Sequence, residues 1–204
     1  MIDAKYFTGA SFREFDKSQV PLPQESSKIV WPQCEFVDLE IGCGNGFHPI
    51  QYAKNNPERT LIAIERTQER FSKFKKRVDT NKVGSNLIPV RANAINWCTH
   101  YLKEKCLDKI FILYPNPSPR NRSDRWACMP FMGHLLKALK DNGELIMASN
   151  ESAYIEEAKL QFQEIWKSSS VYIDEVKPDQ NYRTQFEKKF IENSQKCFNL
   201  VVRK

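Results

Sequence analysis

Glu35-Phe-Val-Asp-Leu-Glu-Ile-Gly-Cys-Gly-Asn-Gly46 is the stretch from which the rest of the chain reads. Its first seven residues are a short run rich in apolar and β-branched side chains, the pattern of a buried strand. Three of the chain's seven glycines then fall within five residues, at Gly42, Gly44 and Gly46. Scarce glycine gathered in one place marks a backbone that turns sharply or lets a ligand approach closely. Beyond the loop, residues 47–56 read as a helix, with Pro49 in the first turn and Pro57 past the end. A proline that early is tolerated because its missing N–H would have no intrahelical partner. Residues 61–65 (LIAIE) are a second strand that ends in an acid, Glu65.

Strand, glycine loop, helix, strand and acid form the mononucleotide-binding half of a doubly wound sheet. An acid about 20 residues beyond such a loop accepts hydrogen bonds from ribose hydroxyls. The dinucleotide pattern G-x-G-x-x-G would need a glycine where Phe47 stands. The chain instead has Glu40-x-Gly-x-Gly-x-Gly46. An acid ahead of the loop repels a pyrophosphate and suits a cofactor with positive charge. S-adenosyl-L-methionine carries a sulfonium, an α-ammonium and a ribosyl adenine, and is the expected cofactor. A structural glycine turn in a cofactor-free domain is the alternative.

The alternation continues. Residues 68–81 have helical spacing at Phe71, Phe74 and Val78 and a strongly basic outer face, which is either a solvated surface or one turned to RNA. Residues 86–91 are a third strand, with Asn93 after it, where an adenine edge can be read. Residues 107–114 are a fourth strand, nearly continuous in apolar residues and therefore central. Residues 129–140 read as a helix stopped by the turn signal Asp141-Asn142-Gly143. A fifth strand over 144–149 and an amphipathic helix over 151–167, with Ser152 at its start, follow. Residues 171–176 and 197–202 are expected as an antiparallel hairpin at the sheet edge, joined by a long polar excursion. The domain should therefore be α/β, a mostly parallel doubly wound sheet over 35–204, behind a partly irregular N-terminal extension over 1–34. Ligands of such sheets bind outside the carboxyl ends of the strands. Among the remaining rings, His48 reads as a surface residue near the cofactor, and His100 and His134 as structural. Trp97 reads as core rather than as a partner of adenine.

Composition sets the outer bounds. With 204 residues, a formal net charge of +6 and 41% hydrophobic residues, the chain reads as one globular domain, not a disordered or collagen-like one. No apolar stretch approaches the roughly 20 residues of a membrane span, and the first residues do not read as a signal peptide. Six cysteines, at 34, 43, 98, 106, 128 and 197, form no C-x-x-C pair or zinc pattern. They read as reduced thiols, and the expected compartment is the cytoplasm. The positive surplus fits an anionic partner such as nucleic acid.

The most unusual stretch is Tyr114-Pro-Asn-Pro-Ser-Pro-Arg-Asn-Arg122. Three alternating prolines stiffen a loop that leaves the central strand beside the cofactor. Asn116 offers an amide with donors and an acceptor. Arg120, Arg122 and Arg125 offer guanidinium forks for phosphate. Together with Leu39–Gly46, Ile62–Glu65, Asn142-Gly-Glu-Leu145 and Thr184-Gln-Phe-Glu-Lys188, this loop resembles the tRNA (guanine-N7)-methyltransferases. The order and spacing fit over about residues 35 to 202.

The resemblance implies a Rossmann-like class I methyltransferase that moves a methyl group from S-adenosyl-L-methionine to N7 of a guanine in tRNA. The cofactor would be held by Glu40, Gly42, Gly44, Gly46, Glu65, Arg66, Asn93, Ala94 and Asn116, with Asn116 at the reacting centre. The tRNA would be held by Arg120, Arg122, Arg125 and Asn150 and by the box Thr184, Gln185, Phe186 and Glu187. Tyr182 and Arg183, just before the box, are further candidates for RNA contact. The protein is expected as a monomer or homodimer with no membrane partner. The chain departs from the family motif P-D-P-W-P in having Asn116 for the aspartate and Ser118 for the tryptophan, and its basic run is diluted. Asn93 also stands where the family carries an acid after the third strand, and Ser149 or Asn150 where it carries one after the fifth. Two alternatives therefore stay open: a divergent methyltransferase with another nucleic-acid or small-molecule acceptor, and a catalytically weak cofactor- or RNA-binding relative.

Overall fold

The computed structural model describes residues 13–177 and 182–204. The first twelve residues of the expected extension, and residues 178–181 of the excursion between the last two strands, lie outside the described residues.

Seven strands form one sheet in the order β3-β2-β1-β4-β5-β7-β6. The strands β1 (Phe36–Ile41), β2 (Arg59–Glu65), β3 (Leu87–Arg91), β4 (Leu107–Leu113) and β5 (Leu139–Ser149) pair in parallel. The strand β7 (Phe198–Arg203) runs antiparallel to β5, and β6 (Ser170–Glu175) runs antiparallel to β7 at the edge. This is the expected Rossmann-like arrangement, with β4 in the centre. Chain order reverses between β1 and β4, which opens a crevice at their carboxyl ends.

Side-chain alternation along the strands feeds two cores. On one face, α1 (Phe47–Asn55) and α2 (Gln68–Thr80) bury Ile50, Ala53 and Phe74 against Leu61, Ala63 and Phe111. On the other, α4 (Phe131–Ala138) and α5 (Ser152–Leu160) bury Leu135 and Ile155 against Leu39, Ile62 and Ile110. That second layer also holds α3 (Ala94–Tyr101), which the sequence reading did not single out as an element. It is short, and its start is set by a polar cap: Asn93 Oδ1 accepts the Ile95 N–H at 2.9 Å. Trp97 of α3 is fully buried, and its indole N–H donates to the Ser27 carbonyl at 2.9 Å. That bond, with Phe15 packed edge-on to Phe131, ties the described part of the N-terminal segment to this layer.

Two boundaries moved. The signal Asp141-Asn142-Gly143 does not end an element, because β5 runs through it. Leu107 pairs with Leu139 and Lys109 with Glu144, so pairing resumes across a bulge in which Asn142 takes φ 65°. The left-handed backbone that Asn-Gly favours serves a bulge as well as a turn. The helix expected over 151–167 is α-helical only to Leu160 and continues as a π-helical turn over Gln161–Ile165.

Candidate active site

The glycine loop is pinned to the end of β2, where the Gly42 and Cys43 N–H groups donate to the Ile64 carbonyl at 2.9 and 3.1 Å. All three glycines take left-handed φ, at 75°, 59° and 76°. They differ in what surrounds them. A Cβ on Gly46, which starts α1, would lie 1.9 Å from the Phe74 ring. A Cβ on Gly42 or Gly44 would meet nothing within 4 Å. Gly46 therefore serves close packing of α1 on α2, whereas Gly42 and Gly44 border open space that a ligand can enter.

Glu65, at the end of β2, is buried and aimed at this loop. Its Oε2 accepts the Gly44 N–H at 3.0 Å. Its Oε1 accepts the Thr67 N–H at 2.7 Å and the Thr67 hydroxyl at 2.8 Å. Arg66 beside it is exposed. Asn93 and Ala94 lie one strand further, at the carboxyl end of β3, where the Ala92 N–H donates to the Glu65 carbonyl.

Glu40 is buried beneath the loop, with Oε2 2.7 Å from His48 Nδ1. His48 is consequently not a surface residue. The left-handed Gly46 and Pro49 start α1 directly over the sheet, so its first turn is covered, and His48 packs edge-on to Phe111 at 5.0 Å. Deeper still, the Tyr52 hydroxyl and the Arg59 Nε–H donate to Asp38 Oδ2 at 2.8 and 2.6 Å. Burial, and then Asp38, push the Tyr52 phenol well above its ordinary value. Burial, and then Glu40 and Glu65, likewise push the Cys43 thiol up. Glu40 and Glu65 thus flank the loop with negative charge, which opposes a pyrophosphate and fits a nucleoside carrying positive charge.

The proline-rich loop begins at Tyr114, a non-glycine residue at φ 51°. Its N–H donates to the Ala148 carbonyl at 2.8 Å and its hydroxyl to Glu187 Oε2 at 2.7 Å. Asn116 is exposed, and its Oδ1 accepts the Ser118 N–H at 3.1 Å. Among the described residues its amide N–H donors have no hydrogen-bond partner. Arg120 is exposed at the tip. Arg122 and Arg125 turn inward instead: Arg122 Nε–H donates to Glu157 Oε1 at 2.8 Å, and Arg125 Nη1–H to Glu157 Oε2 at 2.5 Å. Arg125 also reaches the Ser118 and Pro119 carbonyls at 3.3 Å. Glu157, 4% exposed, anchors the loop to α5; its role had no signal in the sequence, because it lies 32 and 35 residues away from the two arginines.

The box over 184–187 begins α6 (Gln185–Glu192). Thr184 Oγ1 accepts the Glu187 N–H at 3.0 Å, while Glu187 Oε1 accepts the Arg183 N–H at 2.9 Å. This is a capping box shifted back by one residue. Its pattern, Thr-x-x-Glu, was present in the sequence. Glu187 is 2% exposed and forms an ion pair with Arg183, which also bonds Asn199 at 2.8 Å. Burial raises the Glu187 carboxyl pKa, but Arg183 and Tyr114 outweigh it and hold it below the usual value. Thr184 and Glu187 are therefore committed within the fold, while Gln185 and Phe186 point outward, Phe186 stacked on Phe190 at 6.3 Å. Asn150, at the end of β5, contacts Glu151 and Gln195 at 3.2 and 3.4 Å. The fold thus brings the glycine loop, Glu65, Asn93 and Asn116 to one rim and joins the box to it through Tyr114.

Comparison with known proteins agrees with this geometry. A family model described as "Putative methyltransferase" matches residues 35–200. The chain is 32% identical over 124 residues to a tRNA (guanine-N(7)-)-methyltransferase of Chlamydia caviae, covering 60% of this chain and 55% of that protein. It is 27% identical over 192 residues to a protein of the same name from Bdellovibrio bacteriovorus, covering 87% and 88%. It spans about half the length of the Chlamydia relatives. Among solved structures it resembles the 16S rRNA methyltransferase KamB, with a TM-score of 0.63 and 16% identity over 84% of this chain and 88% of that one.

Proposed function

Because the chain belongs to the methyltransferase family matched over residues 35–200, we propose that it methylates N7 of a guanine in tRNA, with S-adenosyl-L-methionine as the donor. The observation that carries this reading is the open, acid-flanked cradle at Gly42 and Gly44, with the Glu65 carboxylate beside it. Glu65 would accept the ribose hydroxyls, as an acid in this position does. Glu40, steadied by His48, would supply negative charge opposite the donor's ammonium. The bound donor supplies the methyl group.

The acceptor needs little acid–base help. Guanine N7 has a lone pair and no proton, so no general base is required. Placement within about 3–3.5 Å of the methyl carbon accounts for much of the acceleration. Asn116 is proposed to provide that placement. With its Oδ1 held by Ser118, its amide N–H groups can donate to guanine O6, the acceptor next to N7. An asparagine brings no negative charge to offset the cationic product ring, so turnover should be slower than with the family's aspartate. Arg120 is the loop arginine placed to meet phosphate.

The test is to incubate the protein with unmodified tRNA and methyl-labelled S-adenosyl-L-methionine and to identify the labelled nucleoside. Labelled 7-methylguanosine, absent with Glu65→Ala, is expected. Label in an exocyclic amine, or cofactor binding without any labelled tRNA, overturns the reading.

A further inference from the structure

Away from the rim, the outer face of α2 is densely charged. Only Phe74 of its thirteen residues is buried. Arg70, Lys73, Lys76 and Arg77 stand at i, i+3, i+6 and i+7, which at 3.6 residues per turn gathers them into one sector of about 120°. Arg77 lies over the Phe47 ring at 5.5 Å, so the sector faces the start of α1. Lys73 pairs with Glu69 at 2.6 Å, but both side chains are more than half exposed and the pair holds little. Among the described residues the Arg70 and Lys76 side chains make no hydrogen bond or ion pair, although Arg70, after Lys73, adds to the positive charge that lowers the Glu69 carboxyl pKa. The helix begins three residues after Glu65 and runs about 20 Å from the rim.

We propose that this basic stripe is a docking surface for the sugar-phosphate backbone of the tRNA, holding the strand that flanks the target base. The proposal rests on tRNA being the substrate. Two observations lead to it. The loop expected to hold phosphate has given Arg122 and Arg125 to Glu157, leaving Arg120 as its outward guanidinium. A polyanion held for chemistry at one base needs several phosphate contacts to fix its register, and α2 offers four cations against the single acid Glu69 in one sector that begins near the rim. A membrane surface fits less well, because among the described residues the exposed large apolar ones are Leu22, Val30 and Phe186, none of them on α2 to insert beside the cations.

The experiment compares two triple variants of the full chain in tRNA binding across a salt series. Arg70→Gln/Lys73→Gln/Lys76→Gln removes three of the stripe's four cations and leaves Arg77 on the Phe47 ring. Lys17→Gln/Lys103→Gln/Lys137→Gln removes the same charge from the opposite layer. The stripe variant should weaken binding at least tenfold at low salt and make the slope of log K against log[salt] shallower by about 2–3, at about 0.7–0.9 for each of three lost phosphate contacts. Its circular dichroism and cofactor affinity should not change, and the control should bind as the wild type does. An unchanged slope, an equal loss in both variants, or stripe-dependent binding to phosphatidylserine vesicles without tRNA binding overturns the proposal. Stripe-dependent tRNA binding without labelled 7-methylguanosine sustains the docking surface while refuting the proposed reaction. Labelled tRNA with KM unchanged in the stripe variant does the reverse.

Discussion

Gly46 and Gly44 share a backbone conformation and differ in surroundings, so they should fail differently when changed. Gly46→Ala drives a methyl group into the Phe74 ring at a left-handed φ. Combining strain of about 1–2 kcal/mol with overpacking of about 1–3, a loss of about 2–5 kcal/mol is expected in urea denaturation. Gly44→Ala meets open space and should cost only the backbone strain of about 1–2 kcal/mol, yet its methyl group intrudes on the cradle, so cofactor affinity measured by calorimetry should fall at least tenfold. The three glycines and Glu65 were legible from spacing alone. The difference between Gly44 and Gly46 was not, because Phe74 reaches Gly46 only once α2 has packed on α1. His48 was misread for the same reason: a ring two residues past a glycine loop looks exposed until the helix it begins is laid over Glu40.

At the scale of elements, two buried carboxylates tie the substrate side of the rim to the body. Glu157 on α5 holds Arg122 and Arg125, so Glu157→Ala should destabilise the protein by about 2–3 kcal/mol. It should also speed amide exchange over residues 118–125 severalfold, while exchange in β1 and β2 stays slow. Glu187 caps α6, pairs with Arg183 and receives the Tyr114 hydroxyl. Its pKa is held below the ordinary glutamate value of about 4.3 in the folded state, so its contribution is complete above that value. The contribution is lost as pH falls through the lowered folded value. Glu187→Gln should therefore destabilise the protein at neutral pH and flatten the acid limb of its stability profile, which urea titrations between pH 3 and 7 read directly. A capping box stood in the sequence as Thr-x-x-Glu. That its glutamate also secures a strained tyrosine at the end of β4 depended on contacts across 73 residues.

For the whole molecule, the reading predicts a ligand-linked change in stability. S-adenosyl-L-methionine at 100 times its dissociation constant should stabilise the fold by about 2.7 kcal/mol. At about 2–4 °C per kcal/mol for a chain of this size, Tm should rise by about 5–10 °C. NAD should produce no rise, and Glu65→Ala should abolish the effect of S-adenosyl-L-methionine. Apart from the short α3 and the start of β5, the strand and helix alternation, the glycine loop and its acid, and the antiparallel end of the sheet were written in the sequence, because hydrophobic period, glycine spacing and turn chemistry are local properties of the chain. What the arginines and carboxylates do was decided only by tertiary structure. A charged side chain commits to whichever opposite charge is buried beside it, and the partners of Arg122, Arg125, Glu40 and Tyr114 are chosen by packing between elements. The same chemistry that reads as a phosphate clamp in the sequence thus becomes, at Arg122 and Arg125, an internal anchor in the fold, while Arg120 and the cations of α2 stay outward.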